Sequence, residues 1–431
     1  MSKSVYIRTF GCQMNFHDSE KILGILKEEG YIRTDNPKVA DLIIFNTCSI
    51  RQKAEQKFYS ELGRLKSHKK RKPSLQIAVA GCISQQDGKN IFKKASHVDF
   101  ILGPQNIHLL KDLIEYKFSK IAIDDNSEIA IIDLPKERES RIRAWITIMY
   151  GCNNFCSYCI VPYTRGRERS RPYENIVYEA TELAEKGYKE ITLLGQNVNS
   201  YKSEVSFPEL LTKLNAIDGI ERIRFVTSHP KDLSDELINS ISQLPKVCEH
   251  IHLPMQSGSS KILKQMNRGY AYSDYIEKII KLRKQIPGIA ITSDIITGFP
   301  GETEKDHLQT INALKEIEFD GIYAFKFSRR PLTKAAQMEE QVPEEIKSER
   351  LTEILSVQDE ITLKINRSLE GTFHEILIEG HSKTDDNKLT GRTRTNKIVN
   401  IQKITLKEGK LITVKITKGK KHSLDGEPVS I

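Results

Sequence analysis

The sequence predicts an α/β protein in three parts: an N-terminal parallel-sheet domain, a central open barrel of six β/α repeats, and a small antiparallel β-barrel. Short apolar runs that alternate with helical patterns indicate parallel sheets in the first two parts. Six repeats over roughly 190 residues are too few for a closed eight-stranded barrel, which favours a partial one. We expect domains at residues 1–120, 141–367 and 368–431, with a linker over 121–140.

The first domain is predicted to contain strands at residues 5–10, 41–45 and 76–80, with helices at 19–29 and about 51–69. The strands are apolar and short, as expected for a sheet that is covered on both faces. The stretch after residue 121 is acidic, polar and proline-containing, and it has no apolar periodicity. It is therefore predicted to be a linker.

The central part is predicted to contain six strands, at residues 144–149, 190–194, 222–226, 249–253, 290–296 and 321–327. Helical patterns separate them, at residues 174–186, 259–266, 272–285 and 304–316. Thr303 and Asp306 form a capping signal at the start of the last of these helices. Pro343 then opens a long charged helix that is predicted to reach about residue 366.

The last part changes character, because short β runs appear and no strong helix pattern remains. The β runs cover residues 372–379, 398–401 and 411–416, and the polar segment 383–397 separates the first two. This pattern is typical of a small barrel of the oligonucleotide-binding sort.

The composition of the 431 residues is that of a globular protein, with 38% hydrophobic and 29% charged residues and a formal net charge of +9. No apolar run is long enough to span a membrane, and the N-terminus has no apolar block of a secretory signal. We therefore expect a cytoplasmic protein. Because the cytosol is reducing, its seven cysteines are better explained as metal ligands or catalytic thiols than as disulfides.

Three cysteines follow the first predicted barrel strand at CxxxCxxC spacing: Cys152, Cys156 and Cys159. Active sites of parallel barrels lie where strands end, and thiolates are the usual ligands of iron–sulfur clusters. Three ligands can hold three irons of a cubane and leave the fourth iron open. The alternatives are a structural zinc site, which needs a fourth ligand that is not nearby in sequence, and a disulfide.

Three further cysteines, Cys12, Cys48 and Cys82, each follow a predicted strand of the first domain and precede a helix. Such loops gather at one edge of a parallel sheet, so we expect the three thiols to converge on a second cluster. Gly11 and Gly81 permit close approach of the backbone there. The alternative is three unrelated core residues, the role that we expect for the seventh cysteine, Cys248.

These two cysteine groups, followed by a basic C-terminal barrel, resemble the radical S-adenosylmethionine methylthiotransferases. The resemblance extends over essentially the whole chain and is carried by residues 9–15, 46–48, 151–159, 162–171, 253–259, 266–270 and 294–303. It implies a central barrel of the radical S-adenosylmethionine type and a TRAM domain, an RNA-binding module, at the C-terminus. One departure concerns residues 327–333, where arginine and leucine replace a proline and a glycine that are frequent in the family.

The resemblance implies two 4Fe-4S clusters and S-adenosylmethionine as cofactors. The cluster on Cys152, Cys156 and Cys159 would bind S-adenosylmethionine through its open iron and generate a radical, and the cluster on Cys12, Cys48 and Cys82 would carry the sulfur. The resemblance also places four residues near S-adenosylmethionine, with strand-end packing or turn formation as their alternative role: Tyr158, Gly195, Gln196 and Asp294.

The expected substrate is the C2 atom of N(6)-isopentenyladenosine (dimethylallyladenosine) next to the anticodon of tRNA. Residues 227–230 and the basic segment 165–171 look like this branch of the family. The other branches act on threonylcarbamoyladenosine in tRNA and on a ribosomal-protein aspartate. An alternative from a different class is a non-catalytic iron–sulfur protein that binds RNA. His229 is expected either to line the pocket for the base or to orient the turn before Pro230.

Two basic surfaces are expected to contact the anticodon stem-loop. Arginines at alternate positions of an extended segment point to one side, where they can reach phosphates, although a solvated loop is the alternative: Arg165, Arg167, Arg169 and Arg171. The second surface is expected on the last domain, at Arg392, Arg394, Lys397, Lys418, Lys420 and Lys421. We further expect an external electron donor and a monomer without membrane contact, and we leave the sulfur donor open.

Overall fold

The computed structural model describes residues 3–49, 52–115, 120–382, 385–403 and 406–429, without the side chains of residues 52–54. Six strands of the N-terminal domain are β1 (Ser4–Phe10), β2 (Ile32–Arg33), β3 (Leu42–Thr47), β4 (Gln76–Gly81), β5 (Phe100–Leu102) and β6 (Ile121–Ala122). They form one parallel sheet in the order β2-β1-β3-β4-β5-β6. The three predicted strands are confirmed, and β6 lies at the start of the segment that we predicted as a linker.

Helices cover both faces of this sheet: α1 (Gln13–Glu28), α2 (Gln52–Arg71), α3 (Cys82–Asp87), α4 (Asn90–Lys94) and α5 (Leu110–Ile114). Alternate residues of β3 pack in two separate apolar clusters, one on each face of the sheet. Ile44 packs in the cluster that contains Ile22 of α1, whereas Phe45 packs in the cluster that contains Phe58 of α2. This explains why β3 is buried along its whole length and reads as a continuous apolar run.

The central domain is an open partial barrel, as predicted. Its strands are β7 (Arg143–Thr147), β8 (Met149–Tyr150), β9 (Arg169–Ser170), β10 (Glu190–Leu194), β11 (Arg222–Phe225), β12 (His250–His252), β13 (Ala290–Thr297) and β14 (Gly321–Lys326). Two parallel sheets, in the orders β11-β10-β7 and β12-β13-β14, are linked by a bridge between Ile223 and Val247. The ribbon β8-β9 is antiparallel.

The helices of this domain are α6 (Val161–Thr164), α7 (Tyr173–Glu185), α8 (Phe207–Asn215), α9 (Asp235–Gln243), α10 (Ser260–Gln265), α11 (Tyr272–Gln285), α12 (Glu304–Ile317) and α13 (Glu344–Ser368). The predicted capping box is present, because the Thr303 side chain accepts a hydrogen bond from the Asp306 backbone at the start of α12. The helix predicted after Pro343 is α13. None of the described helices is both long and apolar enough to cross a membrane.

The last domain is a closed five-stranded barrel in the order β15-β16-β17-β19-β18. Its strands are β15 (Phe373–His381), β16 (Lys388–Thr393), β17 (Ile398–Gln402), β18 (Leu411–Gly419) and β19 (Leu424–Pro428). Strand β16 lies in the polar segment for which the sequence predicted no strand. The barrel is antiparallel as predicted except for the parallel pair of β17 and β19.

Candidate functional site

The first cysteine group, Cys12, Cys48 and Cys82, lies at the ends of three neighbouring strands, β1, β3 and β4. The backbone N–H of Cys48 donates to the Phe10 carbonyl at 3.0 Å, which continues the ladder to the strand ends. Cys48 and Cys82 are buried, and Cys12 is half-buried. Burial raises the pKa of the Cys82 thiol, and Cys12 contributes to this rise, so these two thiols are close enough to interact.

Two glycines allow this close packing, as the sequence predicted. Gly81 has φ +88°, and a Cβ placed there would lie 2.6 Å from the Thr47 carbonyl oxygen. Gly11 has φ +140°, and its Cβ would lie 2.6 Å from the Cβ of Cys48. A side chain at either position would push the strand ends apart.

Two fully buried asparagines support the first cysteine group, and the sequence analysis gave them no role. The Asn46 side-chain amide donates to the Asn15 carbonyl at 2.7 Å and to Ser19 Oγ at 2.9 Å. The Asn15 amide in turn donates to Asn46 Oδ1 at 3.2 Å, and the Cys12 thiol donates to Asn15 Oδ1 at 3.4 Å. In the sequence, the only indication of this role was their position, three residues after Cys12 and two residues before Cys48.

The second cysteine group, Cys152, Cys156 and Cys159, lies on the loop that follows β8. The Cys159 N–H donates to the Cys156 carbonyl at 2.9 Å, and the Cys152 N–H donates to the Gly166 carbonyl at 3.2 Å. Burial raises the pKa of Cys152 to about 11 and that of Cys159 to about 12, and the neighbouring Cys156 adds to both shifts. The three thiols therefore lie within electrostatic reach of one another.

The donor chemistry of both groups fits iron–sulfur clusters, whose usual protein ligands are thiolates. A structural zinc ion would require four ligands within about 2.3 Å of one point. Among the described residues, no three His, Cys, Asp or Glu side chains form such a single-ion group. Cys248 lies apart from both groups, buried beside β11, where its N–H donates to the Ile223 carbonyl.

A buried arginine contacts the second cysteine group. Arg268 Nη1 lies 3.4 Å from the sulfur of Cys156 and 3.4 Å from the hydroxyl of Tyr158. Its Nε donates to the Tyr270 hydroxyl at 3.0 Å, and its Nη2 donates to the Pro254 carbonyl at 2.9 Å. Tyr158, which we predicted to lie near S-adenosylmethionine, is thus fixed beside the cysteines by Arg268. The sequence analysis gave Arg268 no role, because burial of a guanidinium is not visible in the sequence.

The other predicted cofactor residues also lie at strand ends or on the inner face of the barrel. Gln196 Oε1 accepts a hydrogen bond from the Gly151 N–H, and its Nε2 is buried without a partner among the described residues. Gly195 packs so closely that an added Cβ would lie 3.1 Å from Val198. Asp294 is partly exposed and lies 3.5 Å from His252 Nε2.

The four arginines predicted to face RNA do not share one exposed side. Arg165 is buried and pairs with Asp18 at 2.7 Å, and Arg171 is buried and pairs with Glu179 at 2.8 Å. Arg169 pairs with Asp125, while Arg167 is exposed and stacks over Phe155 at 4.3 Å. The prediction that alternate arginines face one side assumed an extended backbone. The segment is not extended, because α6 ends at residue 164 and Gly166 turns the chain with φ +77°.

Arg165 links the two cysteine groups. It follows Cys159 by six residues, at the end of α6, and its guanidinium pairs with Asp18 and lies close enough to Cys82 to influence the pKa of that thiol. This contact opposes the effect of burial on the pKa of Cys82. One short segment therefore carries a cysteine of the second group and a side chain that interacts with the first.

His229 has the turn-forming role that we considered. Its N–H donates to Asn199 Oδ1 at 2.8 Å, and its Nδ1 accepts from the Lys231 N–H at 3.2 Å. Burial, together with the charges of Arg268 and Lys231, lowers the pKa of His229 to about 2, so the ring is neutral. Its Nε2 has no partner among the described residues.

Most of the predicted RNA surface of the last domain is occupied by protein contacts. Arg394 pairs with Glu249 at 2.7 Å, and Arg392 pairs with Glu379 at 3.0 Å. Lys397 pairs with Asp320 at 2.7 Å. These three side chains therefore do not form a free basic face, because Glu249 and Asp320 of the central domain and Glu379 of the neighbouring strand β15 neutralise them. Lys420 and Lys421 keep 42% and 55% of their side chains exposed while they pair with Asp425 and Asp359.

Three family models match the chain: Uncharacterized protein family UPF0004 at residues 4–103, Radical SAM superfamily at 146–314 and TRAM domain at 367–429. The chain is 56% identical over 430 residues to the tRNA-2-methylthio-N(6)-dimethylallyladenosine synthase of Thermodesulfovibrio yellowstonii, with 99% of each chain covered. It is 50% identical over 434 residues to the protein of that name from Carboxydothermus hydrogenoformans, with 98% of this chain and 99% of the relative covered.

Solved structures with a similar fold are much more distant in sequence. The radical S-adenosylmethionine methyltransferase TsrM from Kitasatospora setae superposes with a TM-score of 0.60 at 14% identity, over 78% of this chain and 75% of that one. The cobalamin-dependent S-adenosylmethionine radical enzyme OxsB superposes with a TM-score of 0.52 at 12% identity, over 83% and 56% of the two chains. The shared feature is the fold.

Proposed function

The chain belongs to the family of tRNA-2-methylthio-N(6)-dimethylallyladenosine synthases, and we propose that it methylthiolates C2 of N(6)-isopentenyladenosine next to the anticodon of tRNA. It is a radical S-adenosylmethionine enzyme, and its cofactors include S-adenosylmethionine and a 4Fe-4S cluster. The observation that carries the proposal is the presence of two groups of three cysteines at strand ends, linked through Arg165.

We assign Cys152, Cys156 and Cys159 to the cluster that binds S-adenosylmethionine, and Cys12, Cys48 and Cys82 to a second cluster. Together these cofactors supply, when bound, the radical that removes hydrogen from C2 and the sulfur that replaces it. The strand ends hold the thiols in place, with Cys48, Cys82 and Cys156 buried and the other three partly buried.

The residues around the second cysteine group are assigned to positioning. Tyr158 and Gln196 support the loop of the cysteines, Tyr158 through Arg268 and Gln196 through the Gly151 N–H. Asp294 is partly exposed on the inner face of the barrel, where it is available to a bound ligand. Gly195 allows close packing against Met149 and Val198, and His229 holds the turn at the end of the third strand.

We assign Arg167 and Lys420 to contacts with the tRNA stem-loop, because Arg167 is exposed and Lys420 keeps 42% of its side chain exposed beside Asp425. Arg169, Arg392 and Arg394 also form ion pairs but expose only 16%, 26% and 26% of their side chains, so they are less available for contacts with RNA. The enzyme is proposed to act in the cytoplasm as a monomer that receives electrons from an external donor.

The test is the nucleoside content of tRNA from a strain that lacks the gene, measured by mass spectrometry. We expect the methylthio-isopentenyl nucleoside to be absent and its unmodified isopentenyl precursor to accumulate. The intact gene should restore the product, and a variant with Cys12, Cys48 and Cys82 replaced by alanine should not. Loss of the methylthio-threonylcarbamoyl nucleoside instead would contradict the proposed substrate.

Iron and sulfide content tests the assignment of two clusters in the purified, anaerobically reconstituted chain. Replacing either cysteine group with alanine should leave about half of the iron. A variant in which Cys248 is replaced serves as the control, because this thiol is buried away from both groups and should lose no iron. Full retention of iron after removal of the first group would refute the second cluster.

A further inference from the structure

Arg268 differs from every other buried arginine of the described residues. Six of these seven arginines have a carboxylate within 4 Å: Arg165, Arg171, Arg222, Arg224, Arg330 and Arg350. Arg268 is only 4% exposed and has no ion pair among the described residues. An unpaired buried charge is costly, so a group that supplies negative charge is expected at this position.

The contacts of Arg268 identify where that charge should lie. Two of its nitrogens bind neutral groups that belong to the fold, the Tyr270 hydroxyl and the Pro254 carbonyl. The remaining nitrogen, Nη1, points to the sulfur of Cys156 at 3.4 Å and to the Tyr158 hydroxyl. Of these groups, the cysteine sulfur is the one that becomes a thiolate when it ligates a metal.

We propose that Arg268 is the counter-ion of the cluster on Cys152, Cys156 and Cys159, and that its charge raises the reduction potential of this cluster. One-electron reduction adds a negative charge to the cluster, and a fixed positive charge at hydrogen-bond distance from a ligand sulfur stabilises the reduced state more than the oxidised state. Arg268 is therefore a positioning residue that makes delivery of the electron easier.

The inference rests on the proposed assignment of a cluster to these three cysteines. Failure of that assignment is recognised separately, because replacing the three cysteines would then leave the iron content unchanged. The measurements below use the full-length chain with Cys12, Cys48 and Cys82 replaced by alanine, so that one cluster gives the signal.

The experiment is an anaerobic redox titration, followed by electron paramagnetic resonance, of Arg268→Gln and Arg268→Lys in the absence of S-adenosylmethionine, and it is then repeated with S-adenosylmethionine as a comparison. We expect Arg268→Gln to lower the equilibrium constant for reduction of the cluster at least tenfold. For a one-electron couple this corresponds to a reduction potential that is lower by about 59 mV. Arg268→Lys keeps the charge and should recover most of this difference. Arg222→Gln is the control, because Arg222 is equally buried but begins β11, at the opposite end of the barrel from the cysteines.

Several outcomes would overturn the proposal. One is an unchanged potential in an Arg268→Gln variant that holds normal iron. A second is a shift that appears only with S-adenosylmethionine, which would mean that Arg268 binds the carboxylate of that molecule. A third is loss of iron in both Arg268 variants, which would show a purely structural role. Loss of iron in Arg268→Gln alone, with a near-normal potential in Arg268→Lys, would support the requirement for charge.

Discussion

Glu179 of α7 holds three cations that belong to two separate segments of the chain. Its carboxylate lies 2.7 Å from Arg138, 2.8 Å from Arg171 and 3.2 Å from Lys136. Arg138 and Lys136 come from the segment between the first two domains, so this carboxylate anchors that segment to the barrel. We predict that Glu179→Gln destabilises the central domain, because it leaves three cations without their common counter-ion.

The magnitude follows from the pKa of Glu179. Burial alone would raise this pKa, but Arg171, Lys136 and Arg138 outweigh burial and lower it from 4.5 to about 2. At 1.36 kcal/mol per pKa unit, the ionised carboxylate contributes about 3 kcal/mol to the free energy of unfolding at neutral pH. Because the folded pKa is the lower one, this contribution is complete above pH 4.5 and is lost as the pH falls towards 2.

Thermal unfolding of the full chain measures this effect. A loss of about 3 kcal/mol should lower the Tm of the central domain by roughly 6–12 °C at pH 7. The difference from the parent should shrink below pH 4.5, where Glu179 becomes protonated. Glu182→Gln on the same helix is the control, since 43% of the Glu182 side chain is exposed and it pairs weakly with Lys186 at 3.7 Å. A Tm within 2 °C of the parent at pH 7 would refute the reasoning.

Three further predictions concern other contacts. Burial raises the pKa of Glu20 from 4.5 to about 7, so ionisation of this carboxyl destabilises the folded state as the pH rises through this range. Because glutamine carries no charge, Glu20→Gln should raise the Tm at pH 8 but not at pH 4. Gly81→Ala should reduce the iron content by about half, whereas Gly30→Ala, at a similar φ but in open space, should not reduce it. Arg224→Ala should accelerate hydrogen exchange in β16 by at least tenfold, because its guanidinium binds the carbonyls of Thr393 and Arg394; unchanged exchange would contradict this role.

The cysteine sites could be predicted because their signal is local. A parallel sheet brings consecutive strand ends to one edge, and each cysteine of the first group directly follows an apolar strand. The same rule placed the second group after the first barrel strand. The buried asparagines and Arg268 escaped prediction because burial of a polar side chain depends on residues that are distant in sequence, 27 to 31 positions away for the contacts of Asn46. In Arg268, for example, the contact reaches back to Cys156.

The basic surfaces were mispredicted for a related reason. Positive charge in the sequence does not show which carboxylates the fold will bring to it, and Arg394 meets Glu249 across 145 positions. The alternation of arginines in the segment that contains Arg165 is also misleading, because only residues 169 and 170 of that segment form a strand. Strand β16 was missed because its buried side includes Gly391 and Thr393, which carry little apolar signal.

The attachment of the last domain has a consequence for how RNA length is measured. Arg222 and Arg224 bind the carbonyls of residues 392–394 at 2.7–2.8 Å, and both arginines start from the strand that also lines the barrel. These contacts fix the distance and angle between the last domain and the barrel. On the proposed function, a stem-loop bound by the last domain would therefore reach the barrel with a fixed nucleotide, so the length of its stem would decide which base is modified.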